Sequence, residues 1–176
     1  MTQTELLQML DNKDKKGLWL FRVADFCAFF PQESEQNVKA SLMRHAKNGY
    51  IQRVSKGLYA NPRALSKTRI FDELSYIANH IRPNALNYLS LETALNEHGI
   101  ITQIPNRYVF VSTGESKVFY TPYGTIEYVH TKRKVNFHKK CFFDEMREIW
   151  VANKEQAIAD AYAFDRSVDL IEENID

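Results

Sequence analysis

VKASLMRHAKNGYIQRVSKGLYANP, residues 38–62, is the stretch on which the fold turns. Its first half repeats at helical spacing. Val38, Leu42, His45 and Ala46 share one face, and Gln36, Asn37, Lys39, Ala40, Met43, Arg44 and Lys47 fall outside it. Ser34 is a good N-cap for this helix, with Glu35 beside its positive end. Gly49 suits the left-handed position that closes a helix. Residues 50–54, the turn Ser55-Lys56-Gly57 and residues 58–60 then read as a short β-hairpin, closed by Asn61-Pro62.

Toward the N-terminus, Thr2 and Glu5 form a capping box that opens a first helix carrying Leu6, Leu7 and Leu10. A second helix is predicted over residues 22–30. Val23, Phe26, Cys27 and Phe30 make its apolar stripe, and Pro31 stops it. Three helices followed by a basic hairpin is the order of a winged helix-turn-helix, predicted over residues 1–62. The third helix fits a DNA major groove, where amides and Arg read base edges and Lys and Arg neutralise phosphates. The expected DNA contacts are Ser34, Gln36, Asn37, Lys39, Met43, Arg44 and Lys47 from the helix, with Arg53 and Lys56 from the wing. His45, on the inner stripe, is expected in the core.

Toward the C-terminus, residues 61–68 read as a short polar linker. Ile70, Leu74, Ile77 and Ile81 predict a helix over 69–81, ended by Pro83. Ser90 is expected to cap a short helix over 91–98. The period then changes to two. Residues 107–112, 116–121 and 125–131 read as three strands of an antiparallel meander, and 149–151 as a further strand. Asn153 with Gln156 opens a helix through about Phe164, whose Ala157, Ala161 and Phe164 can pack on the sheet. Residues 168–176 read as an acidic helix or tail. The fold class expected is therefore α+β: an N-terminal winged helix, and a C-terminal domain over 69–176 with an antiparallel β-meander packed by helices.

At this level the residues resemble a known family. Residues 38–62 are similar to the winged-helix end of AbiEi-type antitoxins. YLSLETALNEHGI with IPNRYVFVSTGESK resembles that family's central helix-strand block, and VANKEQAIADAYAF its late alanine-rich helix. The blocks keep the family order from Val38 to Phe164. The resemblance implies the antitoxin of a type IV toxin–antitoxin (abortive infection) system. Such a protein represses its own operon's promoter through its winged helix and opposes, through its C-terminal domain, a nucleotidyltransferase-type toxin encoded beside it. For this chain, binding of double-stranded DNA at inverted repeats in its own promoter and no cofactor are expected.

The charge pattern reads equally as a polyanion-binding front part with an acidic tail end and as solvated helix faces. The 176 residues carry a net charge of only +1, but residues 33–69 hold eight Lys/Arg against two acids, and residues 141–176 three against ten. Residues 130–140 add a second basic cluster, Lys132, Arg133, Lys134, Lys139 and Lys140, which reads equally as a solvated loop or as a second nucleic-acid or toxin surface. Tyr128 and Phe137 flank it and are candidates for base stacking. The two cysteines, Cys27 and Cys141, cannot form a disulfide framework. The opening MTQTELLQML lacks the basic start and apolar run of a signal peptide, so a cytoplasmic protein without membrane partners is expected.

Two alternatives compete with the regulator. One is a winged-helix adaptor that binds only protein. The other is a metal nuclease built on Glu115-Ser116-Lys117 with Asp72, disfavoured because Glu115 follows Gly114 in a predicted turn. His80, His98, His130, His138 and Cys141 lack the short ligand spacings of a metal site. No catalytic residue and no bound metal are expected.

Overall fold

The computed structural model describes residues 1–133 and 137–173. The chain divides into two compact units, Met1–Glu73 and Leu74–Asp176, in a mixed α+β architecture with two sheets.

The first unit runs α1 (Gln3–Asp14), β1 (Leu20–Arg22), α2 (Val23–Phe29), α3 (Glu35–Lys47), β2 (Gln52–Ser55) and β3 (Leu58–Ala60). The Thr2–Glu5 capping box is present at the start of α1. β1 lies beside β3, which pairs with β2, so the hairpin becomes a three-stranded antiparallel sheet in the order β1-β3-β2. Only three residues long, β1 carries no period of its own. Pairing with the hairpin creates it, Leu20 opposite Ala60 and Phe21 opposite Tyr59. The core is the set of apolar stripes: Leu6 and Leu10 from α1, Phe26 from α2, Val38 and Leu42 from α3, Phe21 and Tyr59 from the sheet, and Ile51 just ahead of β2. His45 is buried with them, as its position on the stripe requires.

Residues 61–68 are not a free linker. The Asp14 carboxylate at the end of α1 accepts the backbone N–H groups of Leu65 and Ser66, each at 2.9 Å. A 3₁₀ turn, Ser66–Arg69, follows, and the division between the units falls after Glu73.

The second unit starts within α4 (Glu73–Ile81), which begins four residues later than the sequence pattern predicts, the 3₁₀ turn ending at Arg69 and residues 70–72 being irregular. It continues β4 (Asn87–Leu89), α5 (Leu91–Glu97), β5 (Tyr108–Ser112), β6 (Lys117–Thr121), β7 (Gly124–His130), α6 (Phe137–Lys140), β8 (Cys141–Asp144), β9 (Ile149–Ala152), α7 (Lys154–Phe164) and α8 (Val168–Glu173). These strands form one six-stranded sheet in the order β6-β7-β5-β4-β9-β8.

The antiparallel meander is not what forms. β7 inserts between β5 and β6, and β5 pairs with β7 in parallel. The reason lies in burial. Val109, Phe110, Val111 and Ser112 of β5 are all buried, as a strand covered on both faces demands, whereas β6 leaves Lys117 and Tyr120 exposed. A meander would place that amphipathic strand in the centre. The observed order moves it to the edge. β4 and β9 form a second parallel pair.

α5, α7 and α8 cover one face, with Leu91, Ala94, Leu95, Ala157, Ala161 and Ile171 packed on Val109, Val111 and Ala152. On the other face, the Tyr128 hydroxyl donates to the carbonyl of Ala78 in α4 at 2.8 Å.

Ser90 is the N-cap residue of α5, but its hydroxyl makes no capping bond. Its hydroxyl donates to Asp160 at 2.7 Å instead. Asp160 is only 2 % exposed and also accepts from the Tyr88 hydroxyl at 3.0 Å and the Gln156 amide at 2.7 Å. Burial raises the Asp160 carboxyl above the ordinary aspartate range, against the lowering effect of these three donors. Burial, reinforced by Asp160, likewise pushes the Cys141 thiol up to about 12, so it stays protonated. Asn153 caps α7, its side chain accepting the Gln156 N–H at 2.8 Å.

Candidate nucleic-acid interface

α3 exists where it does because of its ends. The Ser34 hydroxyl accepts the Asn37 N–H, and Arg44, His45 and Lys47 occupy the last turn, where cations complement the carbonyl end. Gly49 follows at φ +76°, and the Tyr50 N–H returns to the His45 carbonyl at 3.0 Å. With Val38, Ser41, Leu42 and His45 turned inward, Gln36, Asn37, Lys39, Met43, Arg44 and Lys47 are all exposed. Met43 is 66 % exposed, unusual for an apolar side chain that is free to pack.

The hairpin stands against this helix. Gly57, at φ +78°, closes the β2–β3 turn, and its carbonyl accepts the first N–H of α2 from Val23 at 3.1 Å. A register shift between Arg53 and Ser55 twists β2, and Arg53 Nε donates to the Ser55 carbonyl at 3.4 Å. The result is an open groove of about 560 Å³ in which Lys39 and Met43 of α3 meet Arg53 and Lys56 of the hairpin. Its one carboxylate, Glu35, is ion-paired with Lys39 one turn away. That hydrogen bond and the charge behind it lower the Glu35 carboxyl and raise the Lys39 ammonium, so both stay charged and the groove keeps an excess of two cations.

Not every predicted contact reaches this groove. Gln36, Asn37 and Lys47 are exposed on α3 but do not line it. Arg44 is turned toward α1, its guanidinium donating to the Met1 carbonyl at 3.3 Å. His45 Nε2 contacts the same carbonyl, also at 3.3 Å. Ser34 uses its oxygen as a cap. Ser34→Ala is therefore expected to lower the stability of the first unit by about 1 kcal/mol. Chemical denaturation checks the loss. Sequence reasoning missed Val23 and Tyr59, which complete the groove. Both are apolar-stripe or strand residues, with no signal separating them from the core.

In the second unit, Lys132, Arg133, Lys139 and Lys140 are exposed, while Lys134 lies outside the described residues. Tyr128 does not flank them as a stacking platform. It is 1 % exposed, packed on Phe110 with ring centroids 5.6 Å apart, because its place in β7 points inward. Nothing is described of the Phe137 side chain. Glu115 and Lys117 are exposed in the second unit and Asp72 belongs to the first. Among the described residues, no group of three or more His, Cys, Asp or Glu is placed to hold a metal ion. None of the helices described is long and apolar enough to cross a membrane.

Residues 6–144 match a family described as of unknown function, DUF6088. The chain belongs to the DUF6088 family. The match spans the whole α3–hairpin groove and the sheet as far as β8, so both units lie largely within the DUF6088 region. No curated protein matches the chain.

Proposed function

We propose that this DUF6088 protein is a winged-helix DNA-binding repressor, with α3 as the recognition helix and the β2–β3 hairpin as the wing. The observation that carries the reading is the shared groove, in which Lys39 and Met43 of the helix face the same opening as Arg53 and Lys56 of the hairpin. The element order α1-β1-α2-α3-β2-β3, with β1 closing a three-stranded sheet, supports it. In a major groove, the exposed amides Gln36 and Asn37 pair with base edges, Met43 meets thymine methyl groups, and Lys39, Lys47, Arg53 and Lys56 neutralise phosphates.

The wider role follows the resemblance of residues 38–164 to AbiEi-type antitoxins. In this reading the protein represses its own operon at inverted repeats, acts as the antitoxin of a type IV abortive-infection pair, and uses no cofactor or catalytic residue. A nucleotidyltransferase reading frame beside its gene would support that role.

The test is binding to the DNA upstream of its own gene, measured by gel shift across a salt series. The expected result is a preference of at least about a thousandfold over unrelated duplex, with log affinity falling linearly as log salt rises. Equal, weak binding to both DNAs overturns the repressor reading and leaves a protein-binding winged helix.

A further inference from the structure

In the second unit, β5 and β7 run in parallel and end together, Ser112 opposite His130. The ends of adjacent parallel strands are where open sheets commonly receive ligands. The loop that follows β5 is Thr113-Gly114-Glu115-Ser116, small and polar. Arg82, just beyond α4, lies over it half-buried. Its guanidinium carbon is 4.2 Å from the Tyr128 ring centre and 5.9 Å from that of Phe119. Lys117 comes to the same Phe119 ring, with Nζ 5.1 Å from its centre.

These two cations have no ion pair among the described residues, whereas Arg107, Arg147 and Arg166 of the same unit each hold a carboxylate. Among the described residues, the hydrogen-bond partner of the Arg82 guanidinium is neutral, the Ser112 hydroxyl at 3.3 Å. Glu115 reaches Arg82 only through its field, without an ion pair, and the aromatic faces offset only part of the cost of burying the guanidinium.

The surroundings hold the guanidinium in place. Ser112 is fully buried. It donates to Asn87 at 2.6 Å and accepts the Gly114 N–H at 3.0 Å. His130 fixes the other side of the loop, its Nδ1 bonded to the Gly114 carbonyl at 2.9 Å and its backbone N–H donating to the Ser116 hydroxyl at 2.9 Å. A Cβ on Gly114 would stand 2.9 Å from Arg82 Nη1. Glycine is what lets the guanidinium lie there.

We propose that Arg82, Lys117 and the 112–116 loop form an anion site that takes a phosphoryl group, such as that of a phosphate monoester. A planar guanidinium with spare donors beside a point-charge ammonium matches a tetrahedral dianion. Glu115, exposed at the rim, is the local carboxylate that opposes it. The site is separate from the α3–hairpin groove and does not depend on it.

The probes are inorganic phosphate, a nucleoside 5′-monophosphate and an oligonucleotide lacking terminal phosphates, each titrated into the full chain and followed by backbone amide shifts. Saturable shifts at Gly114, Ser116 and Lys117 with the first two are expected. Arg82→Gln and Lys117→Gln should each weaken phosphate at least about fivefold. Gly114→Ala should weaken it while keeping both charges, because it displaces the guanidinium. Glu115→Gln should tighten it, and Arg53→Ala with Lys56→Ala should leave it unchanged. Lys117 and Glu115 are exposed, so their variants report even if Arg82→Gln fails to fold. Wild-type affinity in Lys117→Gln and Gly114→Ala, shifts centred on the hairpin of the first unit, or binding confined to the oligonucleotide would each overturn the proposal.

Discussion

Reversing the charge at the tip of the hairpin, Arg53→Glu with Lys56→Glu, is expected to weaken duplex binding at least about a hundredfold near 50 mM salt. Both side chains are exposed, and neither is ion-paired among the described residues. The substitutions therefore leave the core untouched and should change stability by only about 0.5 kcal/mol. The loss comes from two sources. Two phosphate neutralisations disappear, and two carboxylates are brought against the backbone in their place. The first source has its own signature: the slope of log affinity against log salt should fall by about two. Isothermal anisotropy titrations at several salt concentrations read both quantities. An unchanged slope with unchanged affinity would remove the hairpin from the DNA. Arg44 makes a useful contrast, because its guanidinium is already engaged by the Met1 carbonyl and offers less to a phosphate than its place on α3 suggests.

The second large effect is on folding. Asp160→Ala strips one acceptor group from three buried or half-buried donors, Tyr88, Ser90 and Gln156. A buried donor that loses its acceptor costs about 1–3 kcal/mol, reduced here because Tyr88 and Gln156 also bond each other. The expected loss is about 3–5 kcal/mol, a large share of the stability of an ordinary domain. Asp160→Asn should recover most of it, because one amide oxygen can serve Tyr88 and Ser90 while the Gln156 amide turns to accept. The pH dependence separates the two. In the fold, burial makes the Asp160 carboxyl hold its proton more tightly than in the unfolded chain. Its contribution is therefore most favourable below the ordinary aspartate range and declines as pH rises through the raised folded value. Asp160→Asn should abolish that decline. Denaturant midpoints measured across the acidic range check both the size and the slope.

Local signals in the sequence were sufficient for much of the first unit. Thr2 with Glu5, Ser34 ahead of a stripe ending at His45, and Ser55-Lys56-Gly57 between two apolar pairs each act within a few residues. β1, β4 and β8 are three or four residues long and exist because a distant partner pairs with them: Leu20 with Ala60, Asn87 with Ser112, Cys141 with Ala152. The same holds for the strand order of the second unit. Each of β5, β6 and β7 reads correctly as a strand, but which lies in the middle depends on how much of each can be buried from both sides. Ser90 stands at the N-cap position as expected, but the partner of its hydroxyl was hidden for a related reason. Serine before a helix is an ordinary cap, and only the arrival of Asp160, seventy residues on, redirects its hydroxyl. At the candidate site, exposure on α3 followed from helical spacing. The turning of Arg44 toward Met1 did not, since that contact spans 43 positions.

The insertion of β7 between its two elders sets the order of events as the chain leaves the ribosome. β5 emerges before β6, yet its neighbour on that side is β7, so that edge of β5 stays unpaired until the later strand is available. β4 waits longer still, with Tyr88 pairing alongside Trp150 only after some sixty further residues have been made. Sheets closed by such distant partners assemble slowly, and their half-built edges are open to other chains in the meantime. The edge of β5 or β4 that is still waiting for its later partner is therefore where the second unit is open to pairing with another chain during folding.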